Sequence, residues 1–415
     1  MKRIILHSDL NNFYASVECM LHPELADKYV AVCGNKKDRH GIVLAKNQKA
    51  KMMGVKTGET IWQAQKKCPE LVVVPPTFDE YMKYSDIVRN IYLRYTNQVE
   101  PYGMDECWLD VSGSTSLFGT GREIAENIRE TVKKEVGLTV SVGVSFNKVF
   151  SKLASDLKKP DAVTEIGKDD FRQKIWNLPA SSMLGVGRKF EQNLNMQCIY
   201  TIGDIANTPK DFLAKRYGKN GHTIWEYANG LDASPVYDSE YVPPIKSVGN
   251  GITCTSDLET KREVKNVVLY LARSVCHRLR QSSLMAGGVA ICVKDNKLKT
   301  NEYQVQLPFP TVSVQRITEC AFELFCQKHK GKNDIRAISV RAINLKENYD
   351  WVQTSMFFDT KKIDKELMAE DAIEKIRNKF GNSSITYGSL LGDIKVPVNA
   401  EKEIILPHSI KSLAK

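Results

Sequence analysis

The chain has 415 residues, 42% of them hydrophobic, so it is long enough for two to four domains and too apolar for a disordered protein. No run of about 18 apolar residues is present, which excludes a predicted membrane-spanning helix. The net charge of +10 favours nucleic acid as a partner. Ten cysteines, scattered singly and without a CxxC pair, indicate reduced thiols in a cytoplasmic protein.

The first predicted strand, residues 1–10, ends in Asp9, and a helix with Phe13 on its apolar face follows it. Tyr14 lies off that face and close to Asp9, where an aromatic ring is either ordinary core or part of a site. Short strands and helices over residues 29–67 form a small unit decorated with lysines, which we interpret as an insertion after the first strand.

Residues 103–110 place two adjacent carboxylates, Asp105 and Glu106, in a run that otherwise reads as a strand. Adjacent strand residues point to opposite faces, so both can serve one site only at a strand end, a turn or a bulge. Together with Asp9 they offer three hard oxygen ligands, which is what a pair of Mg²⁺ ions needs for phosphoryl transfer. Taken alone, an Asp-Glu pair in a turn is more often simply solvated.

Further elements alternate along the next stretch, with helices predicted over 79–96 and 120–136 and strands over 102–111 and 138–145. This order predicts a ferredoxin-like sheet with its helices on one face, in which the first strand neighbours the strand of the carboxylate pair. The next helix, 147–159, carries Lys148 and Lys152 off its apolar face, where they are either solvated or bound to phosphate.

A small helical region over residues 171–230 contains Gly185 and Gly187, which permit a tight hairpin between two short helices. The backbone N–H groups of such a helix-hairpin-helix, next to Arg188, can hold a DNA phosphate. Residues 233–244 contain three prolines and no hydrophobic period, and are predicted to be a linker.

Beyond the linker, strands are predicted near 248–256, 286–295 and 334–344, and helices near 261–282 and 312–329. This pattern predicts a second small α+β domain. Residues 246–347 hold 17 lysines and arginines against 9 aspartates and glutamates. A polyanion held on this domain explains such a concentration better than a solvated surface does. After residue 345 the chain becomes polar and helical and then frays into a tail.

Four motifs together resemble the Y-family of translesion DNA polymerases, with the bacterial DinB-type group nearest and UmuC-type relatives close. They are Asp9-Leu10-Asn11-Asn12-Phe13-Tyr14, Met104-Asp105-Glu106, Ser145-Phe146-Asn147-Lys148 and Lys158-Lys159-Pro160. The match runs from residue 1 to about 345, in order and with family-like spacing.

The resemblance implies an α+β multidomain protein with the right-hand architecture of a polymerase. Its implied parts are a ferredoxin-like palm (1–10 and 78–166), small fingers (11–77), a helical thumb (167–232), a separate α+β little finger domain that binds DNA (245–345) and a C-terminal tail (346–415).

The resemblance also implies roles for single residues. Asp9, Asp105 and Glu106 match the catalytic metal ligands, with the Leu10 carbonyl as a backbone ligand. Tyr14 matches the steric gate, which lies under the sugar and rejects a 2′-OH. The predicted nucleotide-binding residues are Phe13, Tyr14, Gln48, Lys51 and Lys159, and the predicted DNA-binding residues are Lys148, Lys152, Gly185, Gly187 and Arg188. Family members often carry Tyr and Arg where this chain has Gln48 and Lys51; lysine keeps the charge but loses the bidentate fork of arginine.

The segment 353–358 resembles the short peptide by which bacterial polymerases bind the sliding clamp. The Gln353 amide can satisfy backbone groups at a pocket rim, while Met356 and Phe357 can fill an apolar cleft. The alternative is that this apolar triplet packs back onto its own domain.

The leading interpretation is a template-directed DNA polymerase of low fidelity that serves translesion synthesis. The primer 3′-OH attacks the α-phosphate of a dNTP, with two Mg²⁺ ions as cofactors. The expected partners are primer-template DNA and the sliding clamp, with no membrane, for a monomer in the cytoplasm. Two alternatives are a DNA-binding scaffold with a degenerate site and a nucleotide cyclase, which shares a palm-like sheet with paired carboxylates.

Overall fold

The computed structural model describes residues 3–35, 41–347, 360–381 and 384–397. They divide into two compact units, the first made mainly of residues up to Tyr241 and the second mainly of residues from Val242 onward. Among the described helices, none combines the length and the apolar character needed to cross a membrane.

The described part of the first unit contains strands β1 to β8 and helices α1 to α11. Its strands are β1 Ile5–Leu10, β2 Val30–Cys33, β3 Val43–Lys46, β4 Val72–Val74, β5 Val99–Pro101, β6 Glu106–Asp110, β7 Val140–Ser145 and β8 Val163–Glu165. Its helices are α1 Phe13–Leu21, α2 Gln48–Met52, α3 Ile61–Lys67, α4 Phe78–Tyr92, α5 Thr115–Phe118, α6 Gly121–Val136, α7 Lys148–Leu157, α8 Phe171–Ile175, α9 Arg188–Asn195, α10 Ile202–Asn207 and α11 Lys210–Ala228.

A five-stranded sheet in the order β5-β6-β1-β7-β8 organises the first unit, and β1 is antiparallel to both of its neighbours. The residues of strand β7 show why helices pack on both faces of this sheet. Val140, Val142 and Val144 point into the hydrophobic core with α4 and α6. On the other face, a Cβ on Gly143 would lie 1.9 Å from the Ser151 carbonyl oxygen, so α7 packs at a distance that only glycine allows. Helices therefore cover both faces, and the prediction of helices on one face is wrong.

The predicted insertion after the first strand forms a three-stranded sheet in the order β3-β2-β4, with α2 and α3 beside it. It has a small hydrophobic core of its own, separate from that of the five-stranded sheet. The buried members are Ala31, Cys33, Val43, Ala50, Val55, Ile61, Ala64, Cys68 and Leu71. Helix α3 begins with a capping box, in which Thr60 and Gln63 exchange side-chain-to-backbone hydrogen bonds.

Residues 232–241, which we call the docked segment, lie on the first unit and do not form a free linker. The Asp232 carboxylate accepts from the Lys148 N–H at 3.2 Å, and Glu100 accepts from the Tyr237 N–H at 3.0 Å. Val236 between them is only 2% exposed. The predicted linker 233–244 is thus too long, because several backbone groups between residues 234 and 239 have partners that are distant in sequence.

The described part of the second unit contains strands β9 to β13 and helices α12 to α14. These elements are β9 Val248–Leu258, α12 Lys261–Gln281, β10 Leu284–Asp295, β11 Thr300–Thr311, α13 Val314–Lys328, β12 Ile335–Ile343, β13 Lys346–Glu347 and α14 Thr360–Phe380. The main sheet has the order β11-β10-β12-β9. Strand β11 was not predicted. It is an edge strand with half of its residues exposed, and Pro308 and Pro310 lie within it, so its sequence reads as a loop.

Helix α14 packs onto the helices of the second unit, although the chain after residue 345 was predicted to be a tail. The Glu370 carboxylate accepts from the Val314 N–H at 2.9 Å and pairs with Arg280 at 2.6 Å. Glu366 pairs with Arg316 at 2.9 Å one turn earlier. Acidic side chains four residues apart lie on one helix face, so α14 presents a row of carboxylates to basic side chains of α12 and α13.

Candidate active site

Strand pairing brings the three predicted carboxylates together at the edge of the five-stranded sheet where β1 ends and β6 begins. Asp9 and Glu106 are direct partners across β1 and β6. Asp105 lies in a bend immediately before β6, and its carbonyl oxygen accepts from the Leu10 N–H at 2.9 Å. Gly103, with a φ of 89°, allows the turn that precedes this bend. The prediction that the pair must sit at a strand end or turn is confirmed.

Two lysines pair with these carboxylates. The Lys152 ammonium group, on α7, lies 2.6 and 2.7 Å from the two Glu106 carboxylate oxygens. The Lys159 ammonium group lies 2.6 Å from Asp9 and 2.8 Å from Asp156. Lys152 was predicted to bind DNA from a solvated helix face, but the structure turns it into the carboxylate site because α7 packs directly against the sheet.

Burial and mutual repulsion raise the pKa values of two of the carboxylates. Burial raises the pKa of Asp105, and the charge of Asp9 raises it further. Burial also raises the pKa of Glu106 to about 7, an effect that Lys152 opposes and Asp9 increases. Clustered carboxylates with raised pKa values repel one another, and a bound cation relieves that repulsion.

The donor set fits a hard divalent cation that keeps part of its shell for water and substrate. Asp9, Asp105 and Glu106 supply carboxylate oxygens, which Mg²⁺ prefers. In the described part of the chain, no group of three or more acidic, histidine or cysteine side chains is arranged to hold a metal ion by itself, as a cage of protein ligands would. Mg²⁺ seldom uses such a cage and usually combines one or two carboxylates with water and phosphate oxygens.

His7, which the sequence analysis did not single out, lies beneath this edge. Its Nδ1 contacts the Ser155 hydroxyl at 2.8 Å, while its buried Nε2 has no hydrogen-bond partner among the described residues and lies 3.9 Å from Glu106. Burial holds the pKa of His7 well below its usual value, and Lys152 and Lys159 lower it further. A neutral imidazole therefore lies beside the Glu106 carboxylate. Its only sequence signal was a histidine two residues before Asp9.

Tyr14 lies beside the carboxylates and is only partly buried. Its ring stacks on Tyr81 with centroids 4.4 Å apart, and its hydroxyl lies 3.5 Å from the Met104 sulfur. Burial raises the pKa of Tyr14, and the charge of Asp105 raises it further. Phe13, by contrast, is 3% exposed and belongs to the hydrophobic core. Its ring is used in packing, and nucleotide contact of Phe13 stays a prediction.

Comparison with known proteins bears directly on this arrangement. The impB/mucB/samB family matches residues 8–156, and the C-terminal domain of that family matches residues 245–356. DNA polymerase IV of Acetivibrio thermocellus is 49% identical over 95% of this chain and 98% of its own. DNA polymerase IV 2 of Bacillus subtilis is 36% identical over 94% of this chain and 95% of its own. A solved Y-family DNA polymerase chimera of Dbh and Dpo4 covers 83% of this chain and 100% of its own, with a TM-score of 0.73 and 22% identity.

The chain belongs to the Y-family of DNA polymerases. The predicted α+β multidomain, right-hand architecture is confirmed, as is the family resemblance. Polymerases of this family are metal-dependent, which agrees with the carboxylate cluster described above.

The polymerase carries its predicted finger residues on a short helix. Gln48 and Lys51 are exposed on α2, which the Asn47 side chain caps by accepting from the Ala50 N–H at 3.0 Å. Helix α2 follows β3, and β3 packs on α1, the helix that carries Tyr14. Their nucleotide contact stays a prediction.

The glycine hairpin of the polymerase is open and has one helix fewer than predicted. Gly185 has a φ of 90°, and an added Cβ at Gly185 or Gly187 would meet nothing within 4 Å. Arg188 is exposed and begins α9, but a short 3₁₀ turn, Ala180–Ser182, precedes the hairpin in place of a helix. Its backbone is accessible, and DNA contact there stays a prediction.

Lys148 was predicted to bind DNA, but the polymerase uses it internally. Its side chain is 8% exposed, its ammonium group pairs with Glu100 at 2.6 Å, and it lies 4.4 Å from the centre of the Trp108 ring. The docked segment and β5 surround this lysine, and its DNA contact stays a prediction. The predicted clamp-binding residues Gln353, Met356 and Phe357 lie outside the described residues.

Proposed function

We propose that the polymerase extends a primer 3′-OH on a DNA template with dNTPs, at low fidelity, and serves translesion synthesis. The observation that carries this proposal is the convergence of Asp9, Asp105 and Glu106 at one edge of a sheet, in a chain of this family. Two Mg²⁺ ions held by these carboxylates and the Leu10 carbonyl would stabilise the charge that develops on the attacking and leaving oxygens.

The side chains around the carboxylates have separate tasks. The ammonium groups of Lys152 and Lys159 lie at the same edge, so each can exchange its carboxylate partner for a phosphate oxygen of the substrate. Tyr14, held against Tyr81, occupies the space that a ribose 2′-OH would need. Burial and the charges of Lys152 and Lys159 lower the pKa of His7, so the imidazole adds no charge behind Glu106.

The parts of the fold receive the roles that the resemblance assigns. We propose that the five-stranded sheet is the palm, the three-stranded sheet with α2 and α3 the fingers, and α8 to α11 the thumb. The second unit, with its excess of basic residues, is the little finger that binds DNA. We expect a cytoplasmic monomer, in keeping with ten free cysteines.

A primer-extension assay tests the proposal. The chain, given a primer-template, all four dNTPs and Mg²⁺, should lengthen the primer, and a chelator should stop the reaction. A DNA-binding scaffold would bind the duplex without extending it. A nucleotide cyclase would convert free nucleotide to a cyclic product without DNA, and either result would refute the proposed function.

Removing the second unit should weaken DNA binding and its dependence on salt. We expect a chain that ends at Tyr241, after the docked segment, to bind primer-template more weakly than the full chain. The slope of log affinity against log salt should fall by about 0.9 for each lost phosphate contact on duplex DNA. Titrations at several salt concentrations measure this slope. An unchanged slope would mean that the basic unit does not touch DNA.

The clamp proposal rests on the sequence of residues 353–358. Replacing Met356 and Phe357 by alanine should abolish stimulation of synthesis by a loaded sliding clamp, because the apolar anchors are lost, and leave distributive synthesis unchanged. Product lengths with and without clamp measure the effect. Full stimulation of the double variant, or its unfolding, would favour packing of this segment on its own domain.

A further inference from the structure

Trp62 is mostly exposed on helix α3, so its ring contributes little to the hydrophobic core. Of the four tryptophans in the described residues it alone is exposed, at 64%, whereas Trp108 is 4% exposed. Helix α3 turns Ile61 and Ala64 into the small core of the three-stranded sheet, and it turns Trp62 and Lys66 outward, four residues apart. The Lys66 ammonium group lies 4.7 Å from the centre of the indole ring.

The three-stranded unit that carries Trp62 has more lysines than carboxylates. The segment 42–70 holds six lysines against two glutamates. Lys49 and Lys67 pair with carboxylates. The other four form no ion pair with a carboxylate in the described part of the chain, and they are Lys46, Lys51, Lys56 and Lys66. Burial and the nearby Lys51 charge lower the pKa of Lys46, and the charge of Glu59 opposes this effect.

An exposed aromatic ring beside Lys66, on a unit rich in lysine, matches the chemistry of single-stranded nucleic acid. Lysines track the phosphates, and the ring stacks on a base whose face is free. Bases inside a duplex stack on one another, so only an unpaired strand offers such a face. A protein partner would instead favour an apolar patch with few charges at its centre.

We propose that Trp62, with Lys66, is a stacking platform for an unpaired base of the template strand. This inference rests on the proposed function, because a template-directed polymerase holds DNA whose template is single-stranded beyond the primer end. The site adds a contact to the template, outside the residues that surround the catalytic carboxylates.

Binding of three labelled DNAs to the full-length chain tests the platform. The probes are a blunt duplex, the same duplex with a 5′ template overhang of about six nucleotides, and that overhang built from abasic nucleotides. Trp62→Ala should weaken binding of the base-containing overhang by about 5- to 100-fold, since stacking on an aromatic side chain contributes on that order. Its affinity for the blunt and abasic probes should equal that of the parent, and Trp62→Phe should restore most of the loss.

Tyr200→Ala is the matched control, because Tyr200 is an aromatic side chain of the same unit with 55% exposure. It should bind all three probes as the parent does. Equal binding of all probes by the parent and Trp62→Ala would overturn the proposal and assign the surface to another partner, such as a protein. An equal loss on the blunt duplex would overturn it as well. Failure of the parent to extend primers would refute the proposed function, whereas extension with unchanged overhang binding in Trp62→Ala refutes only the platform.

Discussion

Replacing Glu106 by glutamine, or Asp105 by asparagine, should slow primer extension by about 1,000-fold or more, equivalent to about 4 kcal/mol of transition-state stabilisation. The variants keep the shape of the side chain but lose a charged oxygen ligand at the edge where Asp9 and Glu106 meet. Affinity for primer-template should stay nearly unchanged, because phosphate contacts elsewhere supply most of it. Single-turnover extension and equilibrium DNA binding measure the two quantities separately.

Asp110→Asn is the control for these variants. Asp110 is on the same strand, β6, and its carboxylate accepts a hydrogen bond from the Ser112 N–H, which asparagine can also accept. We expect it to extend primers at the parental rate. Near-parental extension by Glu106→Gln or Asp105→Asn would refute the assignment of metal ligands.

Replacing Tyr14 by alanine should increase the use of ribonucleotides relative to deoxyribonucleotides by about 10- to 200-fold, the range that one small group in a pocket can discriminate. The ring is held by its stack on Tyr81, with an interplanar angle of 10°, and by Phe78 at 5.9 Å. It therefore cannot swing away from an added hydroxyl. The ratio of kcat/KM for a ribonucleotide and its deoxy counterpart measures the effect.

Tyr14→Phe keeps the ring and the stack and should discriminate as the parent does. Tyr14→Ala also loses the ring contacts, so its melting temperature is measured in parallel. If Tyr14→Ala is as selective as the parent, Tyr14 is a core residue and the steric role is refuted.

The carboxylate edge was predictable because its signals are local. The Asp105–Glu106 pair requires a turn or strand end, and a strand that ends in Asp9 can pair beside it. Valine alternates with serine or glycine along β7, and this signal was equally local. The sequence prediction nevertheless missed that a helix packs on the face with the small residues. The small residues on one face were a signal that a helix approaches there, and α7 does so.

The lysines were harder, because their partners are distant in sequence. Lys148 reaches Glu100, and Lys152 reaches Glu106, across 48 and 46 residues. Helical spacing predicts which face of the helix each lysine occupies, but it does not predict which other elements pack on that face. The same limit applies to α14, since the basic side chains that hold Glu366 and Glu370 come from α12 and α13.

The central position of β1 has a consequence for how the molecule opens. Amide hydrogens around Ser8 and Asp9 are bonded to strands on both sides, so they should exchange with solvent only when the whole sheet unfolds. The sheet β3-β2-β4 rests on a small core of its own, so it should exchange faster, by local opening. Opening of the three-stranded sheet alone would then leave the arrangement of Asp9, Asp105 and Glu106 unchanged.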